Sequence, residues 1–231
     1  MGGINHNILL KVQEVFISDD KVFLVYPSLR ATHKPLSELD TVLNESQITR
    51  IVEKLIQLCL YLHRKGITAA NIHPGNVFID EDDPEDVLVT DVGFAYMPNM
   101  DPVTKFQTDF AAPEIRGKSS MALEKAVHEA PLNCDLYAIG AIAKFLLSGS
   151  CEYSADEMED ISEEMQDFLR KVESEDPFQR TAAGPLLRLP LFDNERLARQ
   201  DEDEEQLEKR QSQKSTIAAR MKAVGTASIM E

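Results

Sequence analysis

Three polar side chains with the chemistry of a ligand site, Asn71, His73 and Asn76, lie close together in this chain, and Asp91 follows them. The amide of Asn71 can hold geometry through hydrogen bonds, but it has no carboxylate basicity with which to take up a proton. The imidazole of His73 is neutral or partly charged near pH 7. The oxygens of Asn76 and Asp91 are hard ligands of the kind that suits Mg²⁺. Rapid proton abstraction through Asn71 is therefore not expected.

The pattern around these residues resembles the catalytic segment of a eukaryotic protein kinase. That family carries H-R-D-L-x-x-x-N, then D-F-G, then A-P-E. In this chain the corresponding positions, in order, hold Ala69-Ala70-Asn71, Asn76, Asp91-Val92-Gly93 and Ala112-Pro113-Glu114. This chain keeps the order and spacing of the family's motifs, but it does not keep the residue types of the first motif.

The resemblance implies a role for each polar side chain. Asn76 and Asp91 stand at the metal-ligand positions, and Gly93 belongs to the same cofactor-binding element. Asn71 stands where the family has its catalytic Asp. His73 replaces a Lys that contacts the transferred phosphate in serine/threonine-specific members. His73 is thus a substitute base or, as we expect of a lone His in a loop, a structural residue.

Other departures from the family point away from catalysis. Ala69 and Ala70 replace the His and Arg of the first motif, and the chain carries no Gly-rich loop or phosphate-pairing Lys upstream. We therefore expect no cofactor, or ATP and Mg²⁺ only at low affinity. The prediction is a pseudokinase with a truncated N-lobe that is not an enzyme and acts as a protein-binding scaffold. Two alternatives stay open: an unconventional or weak serine/threonine kinase that binds ATP and Mg²⁺ through Asn76 and Asp91, and a fixed structural subunit of a large assembly.

Hydrophobic patterning predicts the elements that position these residues. Residues 8–16 and 21–26 read as two strands joined by a polar turn, and Pro27-Ser28 takes the hinge position. Apolar residues recur at helical spacing from Gln47 to His63, with Asn44 or Ser46 as the N-cap. Val77–Ile79 and Val87–Val89 predict a second, shorter hairpin.

Two further helices and an ion pair complete the expected lobe. Residues 133–149 resemble the buried helix whose Asp, here Asp135, braces the catalytic loop, and residues 161–172 resemble the penultimate helix. In the family pattern Arg180 pairs with Glu114. The fold class is therefore predicted to be α+β and protein kinase-like, with a mainly helical C-lobe.

The expected domain organisation has three parts. Residues 1–28 form a remnant N-lobe hairpin and hinge, and residues 29–192 form the C-lobe. Residues 193–231 form a charged extension, rich in Glu, Gln, Lys and Arg, that is either helical or disordered because it has little apolar surface to bury.

Composition limits the partners. The formal net charge is −16, with 24 Lys and Arg against 40 Asp and Glu, which argues against nucleic acid or an anionic membrane. Three cysteines without metal-type spacing fit a reduced compartment, and no apolar run approaches membrane-spanning length. We expect a cytoplasmic protein. Its partner is expected to be another protein or a large assembly, bound through the exposed N-terminal hairpin and the charged tail.

Overall fold

A computed structural model describes residues 4–18, 21–92, 109–116, 132–151 and 160–196 of the 231-residue chain. The chain divides into two compact units, Met1–Phe192 and Asp193–Glu231. Gly93 and the tail beyond residue 196 lie outside the described residues. The three-part organisation of residues 1–28, 29–192 and 193–231 stays a prediction.

In the described part of the chain, five short strands form two antiparallel sheets. Strands β1 (Glu14–Ser18) and β2 (Lys21–Val25) form a two-stranded hairpin. Strands β3 (His33–Pro35), β4 (Val77–Asp80) and β5 (Val87–Val89) form a three-stranded sheet in the order β3-β4-β5. Both predicted hairpins are present.

The first predicted strand, residues 8–16, is wrong over its first half. The backbone of Ile8 and Leu10 bonds to β5 instead: Val89 N–H donates to Ile8 O (2.7 Å) and Leu10 N–H donates to Val89 O (2.9 Å). Ile8 is thereby buried against the core. The apolar segment gains more from covering this sheet edge than from lengthening an exposed hairpin, because only the sheet offers a hydrophobic surface.

Strand β3 was not anticipated, because His33, Lys34 and Pro35 carry little strand signal. Proline lacks a backbone N–H donor, and it is therefore tolerated on an edge strand such as this one. His33 pairs opposite Asp80 and Pro35 opposite Phe78. The long-range pairing, not local propensity, makes this strand.

The helical part is built around α1 (Glu45–His63). Its start is a capping box: Gln47 N–H donates to the Asn44 side chain and the Gln47 side chain accepts from Asn44 N–H, so two free N–H groups at the helix end are satisfied. Of the two predicted caps, Asn44 is the one used. The apolar face of α1 is fully buried, and its fully buried members include Ile48, Ile51, Leu55 and Leu62.

Beside α1, the described residues include the helices α2 (Cys134–Ser148), α3 (Glu163–Val172) and the short α4 (Ala183–Leu186). Helices α2 and α4 contact α1, and α3 contacts α2. A Cβ at Gly140 would lie 2.6 Å from Cγ2 of Val172, so glycine is required for the close approach of α2 and α3. The α+β architecture with a mainly helical lobe is as predicted. None of the described helices is both long and apolar enough to cross a bilayer.

The Glu114–Arg180 pair forms as expected. The guanidinium makes two parallel bonds to the carboxylate, Nη1 to Oε1 (2.6 Å) and Nη2 to Oε2 (2.8 Å). Arg180 Nε also donates to Ser174 O (2.7 Å), and the guanidinium lies 5.0 Å from the ring centroid of Tyr137. Arg180 is 3% exposed, so its charge is neutralised inside the protein by this one carboxylate.

We predict that Arg180→Ala lowers the free energy of unfolding by roughly 3–5 kcal/mol, because it leaves the Glu114 carboxylate without its partner in a partly buried position. Urea denaturation followed by circular dichroism measures this loss. Arg170→Ala is the matched control, since Arg170 is exposed on α3 and makes a long hydrogen bond to the Gln166 side chain (3.5 Å). Asp91→Ala should lower the free energy of unfolding only modestly. Equal losses for Arg180→Ala and Arg170→Ala would contradict the buried role of the pair.

Candidate functional site

The loop that carries the candidate site is held by Asp135 near the start of α2. The Asp135 carboxylate accepts hydrogen bonds from the backbone N–H groups of Ala69 (2.9 Å) and Ala70 (2.8 Å). Nε2 of His63, the last residue of α1, lies 2.8 Å from the same carboxylate. Asp135 is 1% exposed, and Ala70 has a positive φ of 53° that this anchoring helps to hold. The predicted bracing role of Asp135 is confirmed by these contacts.

Asn71 and Asn76 close the loop on itself. The Asn76 side chain accepts from His73 N–H through Oδ1 (3.0 Å) and donates through Nδ2 to Asn71 O. Asn76 is buried, with 3% exposure. Both polar atoms of its amide are thus used to fix the loop, which sets the direction of Oδ1.

Two hydrogen bonds, one at Asp91 and one at the preceding Thr90, join this segment to the loop. Asn71 Nδ2 donates to Asp91 O (3.0 Å), and Thr90 N–H donates to Asn76 O (2.9 Å). Asp91 adopts a positive φ of 57°, a left-handed conformation that Asp tolerates better than most residues with a side chain. Asn71, Asn76 and Asp91 therefore belong to one hydrogen-bonded unit, although they are separated in the sequence.

Sequence reasoning missed Tyr26. Its hydroxyl donates to Oδ1 of Asp91 (2.5 Å), and Thr90 Oγ1 lies 3.2 Å from Oδ2 of the same carboxylate. Burial, followed by the hydrogen bond to the Asp91 carboxylate, raises the pKa of Tyr26 well above its usual value. Tyr26 therefore stays protonated and donating at neutral pH. The only sequence signal for this contact is a Tyr just before the hinge, which by itself indicates nothing.

His73 is oriented by its own loop. Gly75 N–H donates to Nδ1 of His73 (3.1 Å), so Nδ1 acts as the acceptor and the proton of the neutral ring sits on Nε2. Burial lowers the pKa of His73, and the negative charge of Asp91 opposes that shift only in part. The ring is therefore neutral at pH 7. In this tautomer its Nε2 is a hydrogen-bond donor, which argues against His73 as a substitute base.

The side chains at the two metal-ligand positions fit Mg²⁺. Asn76 Oδ1 accepts a hydrogen bond from His73 N–H, and a carbonyl oxygen has two lone pairs, so Oδ1 retains capacity for a cation. Asp91 supplies a carboxylate, and both side chains offer the hard oxygens that Mg²⁺ prefers. The Tyr26 hydroxyl already bonds to Asp91 Oδ1, so it competes with a cation for this oxygen. Gly93, the third predicted cofactor residue, lies outside the described part of the chain.

Comparison with known proteins agrees with this arrangement. Residues 1–192 match the family model of the protein kinase domain. The chain is 24% identical over 210 residues to the serine/threonine-protein kinase H1 homolog of Danio rerio, which covers 81% of this chain and 48% of that protein. It is 23% identical over 227 residues to myosin light chain kinase family member 4 of Mus musculus, which covers 85% of this chain and 55% of that protein. The chain thus spans about half the length of these curated relatives.

A solved structure shows the same fold. Rad53 1–466 in complex with AMP-PNP matches with a TM-score of 0.62 at 20% identity, over 82% of this chain and 52% of that one. The expectation that the chain is not an enzyme is contradicted, because the matching domain is a protein kinase domain and the relatives are named serine/threonine or myosin light chain kinases. That expectation rested mainly on the residue types of Ala69, Ala70 and Asn71, whereas the match to the kinase domain extends over the rest of the domain. From the arrangement around Asn76 and Asp91, the fold and these matches, the chain belongs to the protein kinase family.

Proposed function

We propose that this chain is the C-lobe and adjoining hairpin of a weak serine/threonine protein kinase that binds ATP with Mg²⁺ through Asn76 and Asp91. The observation that carries the proposal is the hydrogen-bonded unit of Asn71, Asn76 and Asp91, which keeps two hard oxygen ligands on one support. Serine and threonine are proposed as the residues that accept the phosphoryl group, because a relative is named a serine/threonine-protein kinase. A cytoplasmic location, where ATP and Mg²⁺ are abundant, goes with this proposal.

The reaction transfers the γ-phosphoryl group of ATP to a serine or threonine hydroxyl. The bond from phosphorus to the acceptor oxygen forms, the bond to the β-phosphate oxygen breaks, and the hydroxyl proton passes to a phosphate oxygen or to water. Bound Mg²⁺ would neutralise charge on the phosphate oxygens. Because the transition state is largely dissociative, positioning and electrostatics supply most of the rate enhancement, and a missing base slows the transfer without abolishing it.

The loop residues then have distinct tasks. Asn71, at the position of the family's base, cannot take the proton, and its amide instead holds Asp91 O in place. His73 carries its proton on Nε2, so it acts as a neutral donor toward a phosphate oxygen, where serine/threonine-specific members place a Lys. A neutral donor stabilises developing negative charge less than a cation does. Both substitutions lower the rate, which is why the proposed activity is weak.

A second role, as a protein-binding surface, is favoured by the exposure of the hairpin. Val15 is 56% exposed, Phe16 53%, Ile17 77% and Phe23 49%, so both faces of the hairpin present apolar side chains to solvent. Leu24 is half-buried, and the side chain of Val22 lies outside the described part of the chain. Within the described strands, β1 pairs only with β2, which leaves its other backbone edge open. We propose that an extended segment of a partner protein adds to this edge.

The kinase proposal is tested with the purified chain, labelled ATP, Mg²⁺ and a mixed serine/threonine substrate. We predict slow transfer that Asp91→Asn abolishes. Asn71→Asp should raise the rate by about 10²–10⁴-fold, the usual contribution of a general base. Asn71→Ala is the matched control and should not raise it. Absence of transfer in both the native chain and Asn71→Asp would reject the proposal.

Tyr26→Phe should strengthen binding of Mg²⁺ and ATP by about tenfold or more, because a hydrogen bond to a charged group worth about 1.5–3 kcal/mol no longer has to be broken. Isothermal titration calorimetry measures the dissociation constant. Tyr61→Phe is the matched control, since the Tyr61 hydroxyl accepts from Asn5 N–H (2.8 Å) and does not contact Asp91. Unchanged affinity in Tyr26→Phe would show that the Tyr26 hydroxyl does not compete with the ligand for Asp91.

For the protein-binding role, Ile17→Glu should release the partner from the affinity-purified chain while the circular dichroism spectrum stays unchanged. The added charge disrupts apolar contact at an exposed position and therefore leaves the fold intact. Val42→Glu provides the control, because Val42 is 96% exposed and lies outside the hairpin. Retention of every co-purifying protein by Ile17→Glu would contradict the docking role. Sedimentation of the isolated chain shows whether the released partner was a second copy.

A further inference from the structure

A second cluster of ligand atoms lies at one end of the three-stranded sheet, apart from the kinase motifs. His33 begins β3, Asp80 ends β4 directly opposite it, and Asp86 immediately precedes β5. One ring nitrogen of His33 and one carboxylate oxygen from each Asp all lie within 4.8 Å of one another. Two strand pairings therefore fix the backbone positions of the three side chains.

His33 is the unusual member of this cluster. Its side chain is only 3% exposed, and neither ring nitrogen has a hydrogen-bond partner among the described residues. A buried polar group without a partner is unfavourable, because it has lost its bonds to water and gained nothing in return. The ring is nevertheless held with Nε2 toward the carboxylates.

The distance from His33 Nε2 to Asp86 Oδ2 is 3.4 Å. That is longer than the ordinary 2.7–3.2 Å of an N–H···O hydrogen bond. Two ligands at tetrahedral corners, with metal bonds of about 2.0–2.1 Å, are separated by about 3.4 Å. The spacing thus suits a shared cation better than a direct hydrogen bond.

Asp80 is also arranged as a ligand. Its Oδ1 accepts from Asp82 N–H (3.0 Å), which orients the carboxylate and leaves Oδ2 directed at the cluster. Asp80 is 1% exposed, so a charge at this position needs hydrogen bonds or a positive charge to compensate the lost hydration. The cluster therefore has an oriented, buried carboxylate as well as a buried imidazole.

Arg30 supplies that positive charge in the described structure. Its Nη1 lies 3.1 Å from Asp80 Oδ2, and its Nη2 contacts Asp86 Oδ2. The Arg30 side chain is 64% exposed and can swing into water without unfolding any element. One guanidinium charge thus compensates two carboxylates, and it gives the ring nitrogens of His33 no hydrogen-bond partner. A divalent ion would balance both carboxylates and also bind the ring.

We propose that His33 Nε2, Asp80 Oδ2 and Asp86 Oδ2 form a binding site for a divalent transition metal, with Zn²⁺ as the best fit, and that Arg30 is its displaceable counter-ion. An imidazole ligand favours Zn²⁺ over Mg²⁺, which prefers oxygen ligands throughout. Water completes the coordination. The bound ion links β3, β4 and the turn before β5, so its role is structural. This site is independent of the proposed phosphotransfer.

The test is calorimetric titration of the chelator-treated full chain with ZnCl₂. One equivalent of Zn²⁺ should bind, and both His33→Gln and Asp86→Asn should weaken binding by at least about tenfold. Asp82→Asn is the matched control, because Asp82 is an exposed acid in the same turn and its substitution should leave the affinity unchanged. Arg30→Gln should tighten binding by removing the competing cation.

Among the described residues, a second group of ligand atoms, from Cys59, His63 and Asp135, also lies within reach of one another. Substitution of Co²⁺ distinguishes the proposed site from this group. The proposed site gives a visible Co²⁺ spectrum without the intense near-ultraviolet band of thiolate ligation. A thiolate band that disappears in Cys59→Ser would assign the metal to the other group and overturn the proposal. Absence of Zn²⁺ binding, or binding that His33→Gln leaves unchanged, would overturn it too. If His33→Gln fails to fold, weaker binding in Arg30→Gln is the overturning result.

Discussion

The buried carboxylate of Asp135 is the constraint on which the candidate site depends. A charge that is 1% exposed is tolerated only if it is compensated by hydrogen bonds, and here the donors are Ala69 N–H, Ala70 N–H and the ring of His63. These contacts tie the end of α1, the start of α2 and the loop between Thr68 and Asn71 together. The unfavourable left-handed conformation of Ala70 is held by the same anchor.

The loop that Asp135 anchors in turn orients the side chains at the metal-ligand positions. Asn71 follows Ala70 directly and bonds to both Asn76 and Asp91, so the direction of the metal-ligand oxygens depends on a loop that Asp135 fixes from behind. The Glu114–Arg180 pair fixes the segment around residues 112–116 in a similar way. Buried, well-partnered charges thus position the residues around the site.

Compared with the family pattern, the site has neutral hydrogen-bonding groups at two positions where the family has charged ones. Asn71 stands where the family has a carboxylate and His73 where it has an ammonium group, and both are neutral at pH 7 in this environment. Asp91 keeps its charge, but the Tyr26 hydroxyl already bonds to it. The proposed weak kinase, in which a ligand competes with Tyr26 for Asp91, is consistent with all three observations. The relatives are named kinases, and for this reason we interpret the neutral site as a weak kinase site.

The sequence by itself determined the features that depend on local chemistry. Helical spacing and the Asn44–Gln47 capping pair are enough to predict α1, and the motif order is enough to assign Asn71, Asn76, Asp91 and Asp135 to their positions. The Glu114–Arg180 pair was predictable for the same reason. Each of these follows from residues near one another in the chain or from a known pattern.

Tertiary structure decided what depends on long-range contact. Tyr26 and Asp91 are 65 residues apart, and no periodicity or spacing connects them. Ile8 and Leu10 bond to β5 because that sheet offers a buried edge, and His33-Lys34-Pro35 becomes a strand because β4 lies beside it. The same pairing places His33 opposite Asp80. Such contacts depend on which surfaces the folded chain brings together, and for that reason local sequence preference could not specify them.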